Sequence, residues 1–277
     1  MSAILSVVTR RRWALVATLA GAAAFTGILL ARSTSLHDPA YLSGWVLMGS
    51  LVFLSVYNLR KKLPYPPLLR SSTWLQAHLY VGALSALLFL FHTGFRVPNG
   101  PLEVSLALLY VSVAGTGVLG LFLSRVLPPR LAVRGQEVLF ERIPVYRRQF
   151  REQVEQLVLK SVEGRAETIL ADFYRRKLAD FFLRHRNTVH HLLQSTQPLH
   201  RMKNELRTLE RYLSDEERGT ARELAELIEA KDALDYHQAM QALLKGWLFL
   251  HIPLTYGLMI VAGVHVVLAY AFSGTVR

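Results

Sequence analysis

An all-α integral membrane helical bundle, with five transmembrane helices and a helical cytoplasmic insertion, is the fold class that this sequence predicts. Three observations predict it. Hydrophobic residues make up 52% of the 277 residues and are gathered into long uncharged runs, not dispersed at the period of a soluble core. Lys and Arg cluster beside the ends of those runs. The one long polar stretch carries apolar residues at helical spacing, with no persuasive strand pattern.

The runs extend from about Trp13 to Ala31, Tyr41 to Tyr57, Trp74 to Phe95, Leu102 to Ser124 and Gly246 to Ser273, with Glu103 the only charged residue, at one end. The first follows Arg10, Arg11 and Arg12. Its length, the lack of a clear cleavage site after it and the faintness of any twin-arginine pattern favour an uncleaved anchor over a signal peptide. Arg60, Lys61, Lys62 and Arg70 lie between the second and third runs, and Arg125 follows the fourth, whereas Arg32, Arg96 and Arg277 flank the opposite ends. The imbalance orients the N-terminus inward and the C-terminus outward across an inner (cytoplasmic) membrane, as a multi-pass chain. It also accounts for the net charge of +12 better than nucleic-acid binding does.

Three segments follow from these runs: helices one to four over 1–127, a helical cytoplasmic domain over 128–245, and a fifth transmembrane helix with a short outer tail over 246–277. Pro128 and Pro129 are expected to end the fourth span, and Gly164 to break a helix of the polar domain. Val154, Leu157, Val158 and Ser161 share one helical face. Ser214-Asp215-Glu216-Glu217 has the form of a capping box that opens a helix. Mixed Arg and Glu give this domain the composition of a solvated helical surface, and His185, His190, His191, His200 and His237 are expected to be solvated.

With no cysteine, the chain lacks disulfides, Cys-held iron–sulfur clusters and covalent c-type haem attachment. Of ten histidines, four fall inside apolar spans, in two pairs: His78 with His92, and His251 with His265. Members of each pair are fourteen positions apart. Fourteen steps of about 100° return to within about 40° of the starting face, and a rise of about 1.5 Å per residue separates the rings by about 21 Å. Both helices run in the same sense, so His78 meets His251 near the cytoplasmic surface and His92 meets His265 near the outer one.

Two opposed imidazoles at each level suit a six-coordinate iron macrocycle, which predicts two non-covalent b-type haems, His78 and His251 holding the inner iron and His92 and His265 the outer. A single buried His is more often a packing residue, but four in duplicate register point to ligation. Too few ligands converge for a bare zinc or copper ion. Gly82, Gly94, Gly257 and Gly263 are expected to make room for the ring, and Phe89, Phe91, Phe249 and Leu250 to line it. Arg70 and Arg96 are placed to meet propionates at the two surfaces. Gly115-Thr116-Gly117-Val118-Leu119-Gly120 has the glycine spacing of a dinucleotide fingerprint, yet mid-span it implies helix packing or haem proximity. Pro253 is expected either to bend the helix near His251 or to lie in its early turns, and Trp74 and Trp247 to sit at the membrane interface.

The segments Trp74-Leu-Gln-Ala-His78 through His92-Thr-Gly-Phe-Arg96, and Leu250-His251-Ile-Pro-Leu through His265, resemble the paired ligand helices of cytochrome b subunits of quinol–cytochrome c oxidoreductases and of ferric-reductase-like transmembrane proteins. The resemblance covers this core and implies a helical bundle with two haems stacked across the bilayer. Neither a flavin and pyridine-nucleotide domain nor a quinol-site loop accompanies it. The expected role is an electron-transfer subunit of an oxidoreductase complex, with membrane lipid around it. Its redox partners would be quinone or subunits such as a multihaem cytochrome c or an iron–sulfur protein. The rival expectation is a non-redox scaffold or transporter whose histidines pack or relay protons.

Overall fold

A computed structural model of the chain describes residues 39–62, 71–133, 138–162 and 169–272, with Val16 and Gly27 as isolated helical positions. The first apolar run, Arg70 and Gly164 lie outside the described residues. Within them every regular element is helical: α1 (Pro39–Lys62), α2 (Ser71–His92), α3 (Pro101–Val133), α4 (Ile143–Val162), α5 (Ile169–Phe173), a π-helical turn (Tyr174–Leu178), α6 (Ala179–Leu183), α7 (Thr188–Leu192), α8 (Gln197–Leu209) and α9 (Asp215–Phe272), with 3₁₀ turns at Phe140–Arg142 and Glu210–Tyr212.

Among the described residues, three helices are long and apolar enough to cross a membrane: Ser71–His92, Pro101–Ala132 and the apolar part of Asp215–Phe272. The apolar stretch Tyr41–Tyr57 of α1 is shorter. Large apolar side chains such as Leu108, Val118, Ile260 and Val267 are exposed along these helices. In water such exposure would be unfavourable; against lipid tails it is neutral.

Two compact units divide the chain, one comprising residues up to Leu119 and from Leu248 onward, the other Gly120 to Trp247. In the first, Leu47 and Leu51 of α1, Leu88 of α2, Tyr110 of α3 and Leu258 of α9 form the buried core, so all four apolar helices contribute. Ser85 of α2 is buried at mid-helix and hydrogen-bonds the Tyr110 hydroxyl at 3.0 Å, while Phe89 stacks on the Tyr110 ring at 4.2 Å.

In the second unit, Val154 and Val158 of α4 pack with Phe173, Leu178, Phe181, Phe182, Leu206, Leu224 and Ile228. The helical face expected around Val154 is therefore the one buried. The capping box is formed too: the Ser214 amide donates to Glu217 Oε2 at 2.9 Å, and the Glu217 amide donates to Ser214 Oγ at 3.4 Å.

Several expectations are corrected. Pro128 and Pro129 do not end α3, which runs through both to Val133. Leu127 is 2% exposed in a cluster with Tyr236 and Met240, and Leu131 packs on it, so side-chain burial offsets the lost backbone hydrogen bonds. The fifth apolar run does not begin its own helix at Gly246; α9 is continuous from Asp215. Polarity changes along that helix without a break, and Pro253 lies deep inside it, far from any early turn. Trp247 packs with the Leu123, Leu127, Tyr236 and Met240 cluster.

The histidines of the second unit divide. His190 and His200 are exposed as expected, but His191 and His237 are each 2% exposed. His191 of α7 faces a buried polar group on α9 formed by Lys231, Asp232 and Asp235, and His237 is buried on α9 as well. Lys231 donates to the Arg184 carbonyl at 2.7 Å and pairs with Asp235. Asp235 also accepts from the Arg186 amide at 3.1 Å and faces His185 Nδ1 at 3.3 Å, and Asp232 faces His191 at 3.7 Å. Asp232 and Asp235 lie 41 and 50 positions downstream of His191 and His185, beyond the reach of local spacing. Burial works to raise the Asp235 carboxyl, but the bond from His185, the charge and bond of Lys231 and the Arg186 amide together hold it below the ordinary carboxylate range.

Candidate functional site

His92 ends α2 and His265 lies near the end of α9, 173 positions later, yet their ring centres are 6.3 Å apart with planes at 87°. Two imidazoles on opposite sides of one metal ion, each nitrogen about 2.0–2.1 Å from it and each ring centre about 1.2 Å behind its nitrogen, would have centres roughly 6.4 Å apart. The observed 6.3 Å leaves room for an ion between the two rings. Perpendicular planes are compatible with it, because each plane can contain the ligand axis at any rotation.

Both rings line a cavity of about 380 Å³, bounded by all four apolar helices. Its walls include Leu47 and Leu51 of α1, Phe89 of α2, Leu106 and Tyr110 of α3, and Leu258 and Ala262 of α9. Trp45 donates from Nε1 to the Tyr270 hydroxyl at 2.8 Å across one side. The size and largely apolar lining are in the range of small-molecule pockets. Glu103 is its one carboxylate.

At His92, Ser43 Oγ lies 3.3 Å from Nδ1. A Cβ added at Gly44 would stand 2.9 Å from Cε1, 3.3 Å from Nδ1 and 3.8 Å from Nε2. The Nδ1 edge of the ring is therefore set against α1, and Nε2 is the nitrogen farther from it. His251 has a parallel environment on α3. Thr116 Oγ1 lies 2.8 Å from its Nδ1, and a Cβ at Gly117 would stand 3.7 Å from its Cε1. His78 packs against the Tyr57 ring at 5.0 Å. All four histidines are partly buried.

The chain matches no known family model, no curated protein and no solved structure.

The glycines chosen from the sequence are not the ones in tight contact. An added Cβ at Gly82, Gly257 or Gly263 would meet nothing within 4 Å. Gly94 has φ +60° and ends α2 two residues past His92: the Phe95 amide donates to the Leu90 carbonyl at 3.0 Å, a left-handed helix stop. Phe89 lines the cavity as expected, whereas Phe249 is 83% exposed and Leu250 is exposed as well, so these two face outward. Phe91 packs edge-on to Phe95. Arg96 is exposed in the segment after α2. Within the glycine-rich stretch of α3, Gly117 abuts His251 and Gly120 abuts Trp247, which bears out the packing reading of that motif. Ser43-Gly44, which the sequence reading missed, shares a pattern with Thr116-Gly117 of that motif: a small hydroxyl residue followed by glycine inside an apolar run.

Proposed function

We propose that this chain is a di-haem b-type cytochrome subunit that relays single electrons between the two faces of a membrane, with quinone or a redox protein at either end. The observation that carries the reading is the 6.3 Å separation of His92 and His265 inside a cavity among four apolar helices. His92 and His265 would hold the outer group through nitrogen, and His78 and His251 the inner. When bound, the haem supplies one-electron chemistry with both axial positions filled.

Everything else in the reading is assigned to the chain's own residues. Phe89, Tyr110, Leu258 and Ala262 supply apolar walls that exclude water. Arg96, and Arg70 on the other side, would meet propionates near the two surfaces. The Arg and Lys distribution puts the N-terminus and the 128–245 domain on the cytoplasmic side, with that domain as the docking surface for partner subunits.

Purified protein should be red, with a reducible low-spin spectrum and about two b-type haems per chain by pyridine haemochrome. His92→Ala and His265→Ala should each remove one and the same haem, whereas His78→Ala and His251→Ala should remove the other. A colourless folded preparation, or loss of different haems from His92→Ala and His265→Ala, would falsify the assignment.

A further inference from the structure

A histidine that ligates a metal through Nε2 carries its proton on Nδ1, and the group accepting that proton fixes the tautomer and the rotation of the ring. Thr116 makes the direction of its contact with His251 readable. Its Oγ1 lies 2.9 Å from the carbonyls of both Ser112 and Val113, and its single proton is donated to them. The same oxygen meets His251 Nδ1 at 2.8 Å. A hydroxyl proton turned toward the backbone leaves Oγ1 able to accept the Nδ1–H of His251, the tautomer that ligation through Nε2 requires.

A second, separate pairing repeats the arrangement. Ser43, 2% exposed in α1, places Oγ 3.3 Å from His92 Nδ1. In both cases the next residue is glycine: the Nδ1–Cε1 edge of His92 lies over Gly44, and His251 Cε1 is in ordinary contact with Gly117. Neither Ser43 nor Thr116 lies on a helix that carries a histidine pair. Helices α1 and α3 thus each present a hydroxyl and a glycine to one ring of a different pair.

We propose that Ser43 and Thr116 are positioning residues, accepting the Nδ1–H of His92 and His251 and so fixing the tautomer and rotation of one axial ligand at each haem. This inference rests on the haem reading above. An accepted Nδ1–H makes the imidazole a stronger donor and favours ferric over ferrous iron. Removing the acceptor shifts the balance toward ferrous. Partners of this kind influence metal affinity by about 10–100-fold, and tenfold discrimination between the two oxidation states corresponds to about 59 mV for one electron.

The test uses the full-length protein in detergent, with Thr116→Val, Thr116→Ser and Ser43→Ala compared by haem content, redox titration of each haem and electron paramagnetic resonance of the ferric state. Thr116→Val should raise the potential of one haem by about 59 mV, a tenfold shift, and alter its ferric resonance. Thr116→Ser should restore both, and Ser43→Ala should move the other haem instead. Loss of one haem in Thr116→Val with retention in Thr116→Ser supports the same role. Unchanged potentials and resonances, equal defects in Thr116→Val and Thr116→Ser, or displacement of the same haem by both positions would overturn it. Wild-type protein without haem would instead overturn the parent reading.

Discussion

Gly44→Ala is expected to damage the outer site although the substitution adds one methyl group and raises helix propensity. The new Cβ would stand 2.9 Å from His92 Cε1, whereas ordinary contact begins at 3.4 Å, so the ring must withdraw by about 0.5 Å. The Ser43 bond to Nδ1 is already 3.3 Å long, and the same displacement carries it beyond useful range. A metal–ligand bond tolerates about 0.2 Å. Loss of the orienting bond together with a displaced ligand should lower affinity for the outer haem by about 10–100-fold. Titration of haem into apoprotein measures this directly, with Gly49→Ala as the control, since a Cβ there on the same helix meets nothing within 4 Å. Wild-type affinity and spectrum at both haems in Gly44→Ala would refute the reasoning.

Other consequences concern the polar cluster and the helix crossings. Lys231→Met removes a fully buried ammonium and leaves Asp235 with His185 and the Arg186 amide; it should destabilise the protein by about 3–5 kcal/mol, read as a lowered thermal midpoint by circular dichroism. Adding Asp235→Leu to that variant should recover part of the loss, and a double variant less stable than the single one would contradict the account. Because Asp235 is held below its ordinary 3.8, its contribution is present above that pH and is lost as pH falls through the lower folded value, so stability should decline below about pH 4, less steeply in Asp235→Asn. Gly120→Val drives a side chain into the Trp247 indole and should cost about 1–3 kcal/mol in chemical denaturation, relieved by Trp247→Leu.

Apolar run length and the fourteen-residue spacing made the helical class and the four histidines legible, because both depend only on distances along one helix. The glycines were harder. A sequence shows where a small residue stands but not what approaches it, and the close approaches occur at Gly44 and Gly120, on helices without paired histidines. Pro128 and Pro129 read as the end of a helix, yet α3 continues to Val133, because the burial of Leu127 and the packing of Leu131 on either side of them are invisible in local polarity. His191 read as solvated because its carboxylate partner, Asp232, is distant in sequence and stands on a separate helix.

The meeting of His92 with His265 also bears on how the protein is made. At about 5–20 residues per second, the 173 positions between them take roughly 10–35 s to synthesise. During that interval α2 is complete while its counterpart does not yet exist. On the proposed reading, neither haem can be clasped on both faces until α9 has been made, so a haem arriving earlier would meet only the α2 half of its site.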